Sequence, residues 1–335
     1  MKAMVLAAGE GTRLRPLTGT MPKPMCPVAN VPLLTRTLRM LAVQGITEIA
    51  VNLYHRPEII RESLGTGASL GVTLHYSDES TLMGTAGGVK RLESFLADDS
   101  FLILYGDNLY RFDYAPILDF HRKSASLATI ATFTAPNPSA CGLVVTDENG
   151  IVTRFQEKPP PEEVFTDQAN AGVYILEPDV FSLIPPDTIC DFGKDIFPEL
   201  LRIYPGRMAA TPLNGYLQDT GTIPSYRQAN WDIVEGVAGP AESGIHPGAR
   251  VAHSATLHGR NVLGDRVIIG EECQLYECIL WENVVVGPGA ILRNCILGRN
   301  VRIGAAARIE DGAVIADNVH IPDGAEVPAN ARISV

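Results

Sequence analysis

The last third of the chain repeats every six residues, and that period constrains its fold more tightly than any other feature. Val301, Ala307, Ala313, Val319, Ala325 and Ala331 recur at this step, and Ile303, Ile309, Ile315, Ile321, Val327 and Ile333 form a second column. Val267/Ile269, Cys273/Leu275, Cys278/Leu280, Val284/Val286, Ala290/Leu292 and Cys295/Leu297 carry the pairing back toward the N-terminus with five-residue slips. A hexapeptide period turns one apolar residue inward on each side of a triangular coil, with turns between the sides. The repeat region is long enough for about five coils, above the three that such a stack needs to bury a core. Cys273, Cys278 and Cys295 fall in the inward column, which gives them a packing role rather than a redox one.

Upstream, to about residue 236, the pattern is different. Met4–Ala8, Ile49–Leu53, Val72–Tyr76 and Phe101–Tyr105 are short strand-like runs. Between them Leu34, Leu38 and Leu41 repeat at helical spacing, with Gly45 placed as a C-cap, and Pro57–Leu64 and Ala86–Leu96 give further helices. Alternation of this kind predicts an α/β domain on a Rossmann-like mixed, mostly parallel sheet covered on both faces. Ligands bind such sheets beyond the carboxyl ends of the strands. The Gly/Pro/Ser-containing segment Glu235–Gly244 separates the halves, so a catalytic domain over residues 1–236 and a coil over residues 245–335 are expected. A chain of 335 residues also exceeds what one core usually serves.

Composition narrows the class. Apolar residues at 46% and charged ones at 19% suit a folded enzyme rather than a disordered chain. A net charge of −11 argues against nucleic acid as a partner. The six cysteines show no C-x-x-C and no zinc spacing, as expected of reduced thiols in a cytoplasmic protein. The apolar run at the N-terminus is too short for a signal peptide, and no stretch approaches the roughly 18 apolar residues of a membrane span.

Chemistry concentrates in Ala7-Ala8-Gly9-Glu10-Gly11-Thr12-Arg13-Leu14-Arg15-Pro16-Leu17-Thr18, followed by Lys23 between Pro22 and Pro24. The glycines let backbone N–H groups approach an anion, and Arg13, Arg15 and Lys23 supply positive charge where a polyphosphate would lie. Two other glycine loops fit poorly. There is no Gly-x-x-x-x-Gly-Lys-Ser/Thr string. The third glycine of a dinucleotide fingerprint is replaced by the bulky Leu14, and no isolated acid ends an obvious second strand about 20 residues on.

This stretch resembles the signature loop of the sugar-1-phosphate nucleotidyltransferases, and the resemblance extends over nearly the whole chain. It implies Arg13 and Lys23 as catalytic cations, and nucleotide contacts from Leu6, Ala8, Gly9, Gly11 and Thr12. Gly84-Thr85-Ala86-Gly87-Gly88 resembles the family's turn against the nucleobase and ribose, assigning Gly84 and Thr85 to the nucleotide. Taken alone that string also suits plain helix–strand packing. Phe101–Tyr105 delivers Asp107 to a carboxyl end, where it matches the family's Mg²⁺-binding aspartate; a turn-capping role is the plain alternative. Asp219, in Tyr216-Leu217-Gln218-Asp219-Thr220-Gly221-Thr222, resembles the second metal acid, with Thr222 or Ile223 better placed to begin the helix that follows. On the sugar side the resemblance implies Gly142, Glu157, Lys158 and Asn170, although a solvated Glu-Lys pair before a proline is common on surfaces. Asp191-Phe192-Gly193-Lys194-Asp195 also resembles a family stretch, with no role assigned.

The expected reaction joins a nucleoside triphosphate to a sugar 1-phosphate with release of pyrophosphate and Mg²⁺ as cofactor. The Arg-Pro-Leu-Thr loop, the Gly-Thr-Ala-Gly turn and the C-terminal repeat together look most like the enzymes that use GTP and mannose 1-phosphate. Glucose-1-phosphate enzymes using UTP, dTTP or ATP share nearly all of these features. A non-catalytic, nucleotide-sugar-sensing subunit on the same fold is a reading of another class, and the retained acids and cations weigh against it. The repeat resembles the left-handed parallel β-helix of acyltransferases and of several nucleotidyltransferases. His246, His253, His258 and His320 raise acyl transfer, but a scaffold for homo-oligomer contacts fits the short coil better.

Overall fold

The computed structural model describes residues 1–334. The chain divides into two compact units, Met1–Gly9 with Leu34–Leu217, and Glu10–Leu33 with Gln218–Val335.

The first unit is built on a nine-stranded mixed sheet. Strands follow one another across it as Val152–Glu157, Gly142–Thr146, Gln168–Leu176, Phe101–Tyr105, Ala3–Leu6, Glu48–Leu53 and Thr73–Asp78, with Ala128–Thr134 paired to Gln168–Leu176 and Met208–Pro212 paired to Ala128–Thr134. The four strands from 101–105 to 73–78 are parallel. They read as nearly continuous apolar runs because parallel strands are covered on both faces; Ala3, Met4, Val5, Leu102, Ile103 and Leu104 are all fully buried. Register pairs Leu6 with Asn52 on one side and Tyr105 on the other, so three carboxyl ends finish level. Beyond this parallel core, Gln168–Leu176 runs antiparallel to its neighbours.

The helix Leu33–Val43 buries Leu34, Leu38 and Leu41 as their spacing predicts, and Gly45 takes the left-handed φ of +82° just past its end. The single helix expected over Ala86–Leu96 is instead two, Gly84–Lys90 and Glu93–Leu96. Three glycines in the first seven residues make it a poor helix, held by what it packs against rather than by propensity.

The second unit contains the coil. Fifteen short strands form three parallel sheets of five, the sides of a parallel β-helix. On one side Arg250 pairs with Ile268, Ile268 with Val285, Val285 with Arg302 and Arg302 with His320, giving coil steps of 18, 17, 17 and 18 residues. A five-residue slip in the sequence thus becomes a 17-residue coil. Both columns point inward, so each side contributes two core residues rather than one: Val301 and Ile303, Ala307 and Ile309, and Ala313 and Ile315 join a single core with Cys273, Cys278 and Cys295. The residue between the pair faces out.

The three sides are not equivalent. On one side the first four strands, Val262–Leu263, Ile279–Leu280, Ile296–Leu297 and Val314–Ile315, have outward residues Val262, Ile279, Ile296 and Val314 at most 2% exposed, whereas Arg332 on the fifth, Arg332–Ile333, is exposed. Bonds from the helix Ile223–Val234, and from the turn between Pro27–Val28 and Val31–Pro32, reach this part of the coil and the segment that leads into it. Trp281 Nε1 donates to the Tyr226 hydroxyl at 3.0 Å, Arg227 Nη2 to the Asn294 carbonyl at 2.6 Å, and Asn30 Nδ2 to the Gly244 carbonyl at 2.9 Å. Each residue so covered contributes on the order of 1.5–3 kcal/mol from burial. Thr222 caps the helix through a capping box with Ser225, which leaves the Asp219 side chain out of that role.

Candidate active site

The signature loop closes on itself within the second unit. Gly11 takes a φ of +64°, and a Cβ there would lie 2.7 Å from Lys23 Cβ, so only glycine lets the two ends approach. The Thr18 hydroxyl donates to the Gly11 carbonyl at 2.8 Å. Lys23 is only 4% exposed, and its Nζ stands 3.9 Å from Asp219 Oδ1. That carboxylate oxygen also accepts from Gly221 N at 2.9 Å. A Cβ on Gly221 would meet Arg13 Nη2 at 2.6 Å, so Gly221 gives the guanidinium its place beside Asp219. Arg13, Lys23, Asp219 and Gly221 therefore form one cluster. Arg15 is exposed, 3.8 Å from Glu10. Thr12 is exposed as well.

In the first unit the carboxyl edge of the parallel strands carries a buried polar network. Asn52 Oδ1 accepts from Ala7 N at 2.8 Å, and Asn52 Nδ2 donates to Glu79 Oε1 at 2.7 Å. Glu79 Oε2 accepts from Met83 N at 3.0 Å. The residue that opens the glycine turn is thus tied through two buried side chains to the residue before Gly84. Leu6 is half-buried and Ala8 is 6% exposed beside this network. Gly9 differs from Gly11: a Cβ there meets no described atom within 4 Å.

The Gly84–Gly88 turn packs directly on residues 188–192. A Cβ on Gly84 would come within 2.5 Å of the Cys190 carbonyl, and one on Gly87 within 2.6 Å of the Thr188 carbonyl. Ala86 N and Gly87 N both donate to that Cys190 oxygen. The Thr85 hydroxyl donates to Asp191 Oδ1 at 3.0 Å and accepts from Phe192 N at 2.9 Å. Close packing is thus what these small residues visibly serve, and Thr85 holds Asp191 and Phe192 at the start of the π-helical turn Phe192–Ile196.

Around Tyr105 the remaining candidates gather. Asn170 Nδ2 donates to the Tyr174 hydroxyl at 2.7 Å, which donates to the Tyr105 hydroxyl at 3.1 Å. Burial pushes the Tyr105 phenol well up; its bond with Tyr174 opposes this, and the carboxylates of Glu157, Asp191 and Asp107 add to the rise. Burial raises the Tyr174 phenol in the same way, so both phenols stay protonated. Glu157 lies over two glycines: a Cβ on either Gly142 or Gly193 would meet its Oε2 at 2.5 Å. Lys158 takes a left-handed φ of +45°, bonds its N–H to the Cys141 carbonyl at 3.0 Å and points an exposed ammonium 3.6 Å from Glu157 Oε1. Asp107 occupies the turn between Phe101–Tyr105 and Asn108–Phe112.

Sequence reasoning missed Asn52, Glu79, Asp191, Gly193 and Gly221. Asn52 and Glu79 are polar residues at strand ends and carry no motif; Gly193 and Asp191 lie in a stretch whose family resemblance assigns no role. No group of three or more His, Cys, Asp or Glu suited to a metal occurs among the described residues. The hard carboxylate oxygens of Asp107 and Asp219 are the donor type that Mg²⁺ prefers, one or two at a time with substrate phosphates completing the set.

A glycine loop whose buried Lys23 faces the exposed carboxylate of Asp219, with the exposed Arg13 guanidinium alongside, is the charge arrangement of a nucleotide-handling transferase. The chain belongs to the nucleotidyl transferase family, whose model matches residues 2–236. Residues 241–333 match the GMPPB C-terminal domain. A UTP–glucose-1-phosphate uridylyltransferase of Synechocystis is 39% identical over 254 residues, 71% of this chain and 63% of that protein's length. A mannose-1-phosphate guanylyltransferase of Mycobacterium tuberculosis is 35% identical over 287 residues, covering 84% and 79%. A mannose-1-phosphate guanyltransferase of Candida albicans is 33% identical over 272 residues, covering 79% and 72%. A solved chain described as a glucose-1-phosphate thymidylyltransferase from Bacillus anthracis, in complex with sucrose, superposes with a TM-score of 0.64 at 24% identity, over 72% of this chain and 97% of that one, which bears on the fold alone. No helix among the described residues is long and apolar enough to cross a membrane.

Proposed function

We propose that the chain transfers a nucleotidyl group from GTP to mannose 1-phosphate, giving GDP-mannose and pyrophosphate. The observation that carries the reading is Lys23, an almost fully buried cation facing Asp219 behind Gly11, in the loop that also carries Arg13. Buried charge is costly unless paired, and it is kept where it meets charge in the reacting molecule.

In this reading an oxygen of the sugar phosphate attacks the α-phosphorus in line, and pyrophosphate departs on the opposite side. Catalysis is positioning and charge neutralisation, with no covalent enzyme intermediate. Backbone N–H groups of the Gly9–Thr12 turn receive the triphosphate, and Arg13 and Lys23 neutralise charge on the departing pyrophosphate. Lys158 aligns the attacking phosphate while Glu157 and Asn170 receive sugar hydroxyls, with Gly142 leaving room. Leu6, Ala8, Gly84 and Thr85 border the nucleotide. Asp107 and Asp219 are the residues that would hold Mg²⁺, which supplies Lewis-acid polarisation of the phosphate when bound. The coil serves homo-oligomer contacts, the catalytic segment ends near residue 236, and the enzyme works in the cytoplasm.

UTP with glucose 1-phosphate is the second reading, favoured by the Synechocystis relative's name and 39% identity. Pyrophosphate release from a matrix of triphosphates and sugar 1-phosphates, with and without EDTA, tests all of this. Preferential turnover of GTP with mannose 1-phosphate is expected, abolished by the chelator. No release from any pair would instead mark a non-catalytic subunit.

A further inference from the structure

Between Arg13 and Lys23 the signature loop is tied to the coil, inside one compact unit. Thr20 Oγ1 donates to Asp317 Oδ2 at 2.8 Å. Asp317 is 2% exposed. Its other contacts are with Arg299: the backbone N donates to Oδ1 at 2.7 Å, and Nε and Nη2 each donate to Oδ2 at 2.8 Å. A buried carboxylate needs this pairing, and the fixed fork of the guanidinium orients it toward Thr20.

The coil by itself does not call for a buried acid at this corner. One side further on, Asp323 Oδ1 accepts from Ala305 N at 2.8 Å, the same stitch between neighbouring coils, made by an exposed residue. Asp317 repeats the stitch and adds the bond to Thr20. Its charge also reaches the foot of the loop: burial pushes the Cys26 thiol up to about 12, with Lys23 and Arg299 pulling against burial and Asp317 acting with it. One buried carboxylate of the coil is thus bonded to the middle of the loop and within electrostatic range of its end.

We propose that Asp317, oriented by Arg299, is a positioning residue for nucleotidyl transfer: it fixes Thr20 and thereby the relative placement of Arg13 and Lys23. The inference rests on the proposed function for its catalytic consequence, but the tether itself can be read without turnover. In the full chain, Thr20→Val should lower kcat about tenfold with the KM for sugar 1-phosphate unchanged, since small misplacements of charged groups cost this much or more. Thr20→Ser, which keeps the hydroxyl, should stay within about twofold of wild type. Asp317→Ala should match Thr20→Val in kcat, and the double variant should be no worse than Asp317→Ala alone. Hydrogen–deuterium exchange over residues 11–25 should speed up in Thr20→Val and not in Thr20→Ser. Wild-type kcat and unchanged exchange in Thr20→Val would overturn the proposal, and so would equal losses in Thr20→Val and Thr20→Ser. If Asp317→Ala does not fold, the two Thr20 variants decide alone. If wild type turns over no substrate pair, the function reading falls, and unchanged exchange in Thr20→Val would remove the tether as well.

Discussion

Gly9 and Gly11 stand two residues apart and owe their identity to different causes. Gly11 is required by the chain itself, through its left-handed φ and its contact with Lys23. Gly9 meets no described atom, so what its missing side chain makes room for is not part of the loop. Gly11→Ala should therefore lower stability by about 1–3 kcal/mol. Gly9→Ala should change stability by no more than about 0.5 kcal/mol yet still depress turnover. Thermal melts paired with pyrophosphate release separate the two, and a matched loss of stability in Gly9→Ala would contradict the assignment. Lys158 is the other informative residue. Its exposed ammonium lies 3.6 Å from Glu157 Oε1, so truncation should spare the fold. Lys158→Ala is expected to raise the KM for sugar 1-phosphate roughly 10–100-fold while leaving that for the triphosphate nearly unchanged, as loss of one charge-assisted bond implies. Equal rises in both constants would place Lys158 elsewhere.

At the scale of the element, the coil was the most legible part of the sequence. Its repeating columns, and one of them as inward, could be read because a six-residue step repeated over many turns leaves little freedom. What the spacing did not tell is that both columns face in, or that one side of the coil is covered; the first depends on local pleat and the second on tertiary packing. Ile296 and Ile291 make the difference measurable. Both face outward on their strands, but Ile296 is fully buried and Ile291 only half so. Ile296→Ala should cost about 2–5 kcal/mol and Ile291→Ala distinctly less, read as shifts of the urea midpoint. Equal costs would mean the covered side contributes nothing.

The helix Ala115–Ser124 offers a pH test. His121 is 1% exposed and bonded to Thr129 Oγ1 at 2.7 Å and Glu177 Oε1 at 3.0 Å. Burial holds its imidazole below the usual 6.5, Glu177 acting in the opposite sense and Arg122 with burial. The unfolded chain therefore takes up a proton before the folded one does. This contribution to stability is complete above about pH 6.5 and declines as pH falls below it. Denaturation at several pH values between 5 and 7 should show wild type losing stability relative to His121→Gln as the solution acidifies. Parallel curves would remove His121 from the account.

For the whole molecule, the main surprise is which pieces fold together. Composition changes near residue 236, and the family matches divide there as well, at 2–236 and 241–333. The compact units do not follow that cut, because residues 10–33 and 218–234 group with the coil. No local property of a sequence announces this. Tyr226, Trp231 and Val28 are apolar in a way that any core would accept, and only tertiary structure shows that their unit is the coil's. The candidate site divided in the same manner: glycines, cations and acids with motif spacing could be found, whereas Asn52, Glu79 and Gly221 act through geometry that spacing does not carry. A chain ending at residue 240 should consequently lose more than its repeats. Deprived of its cover, the 223–234 helix would expose Tyr226 and Trp231, which are 0% and 3% exposed in the complete chain. Such a fragment should be aggregation-prone and inactive, checked by light scattering and pyrophosphate release; a monomeric, active fragment would refute the expectation.

The unequal sides of the coil have a consequence for how this sequence can drift. If only the interior mattered, tolerance to substitution would rise and fall with each short side, identically around the stack. Because one flank is sealed by Tyr226, Trp281 and their neighbours, permissive and forbidden outward positions should alternate once per full winding. A saturation-mutagenesis profile of residues 262–315 would then show its strongest beat at 17 to 18 residues, with a weaker overtone at six.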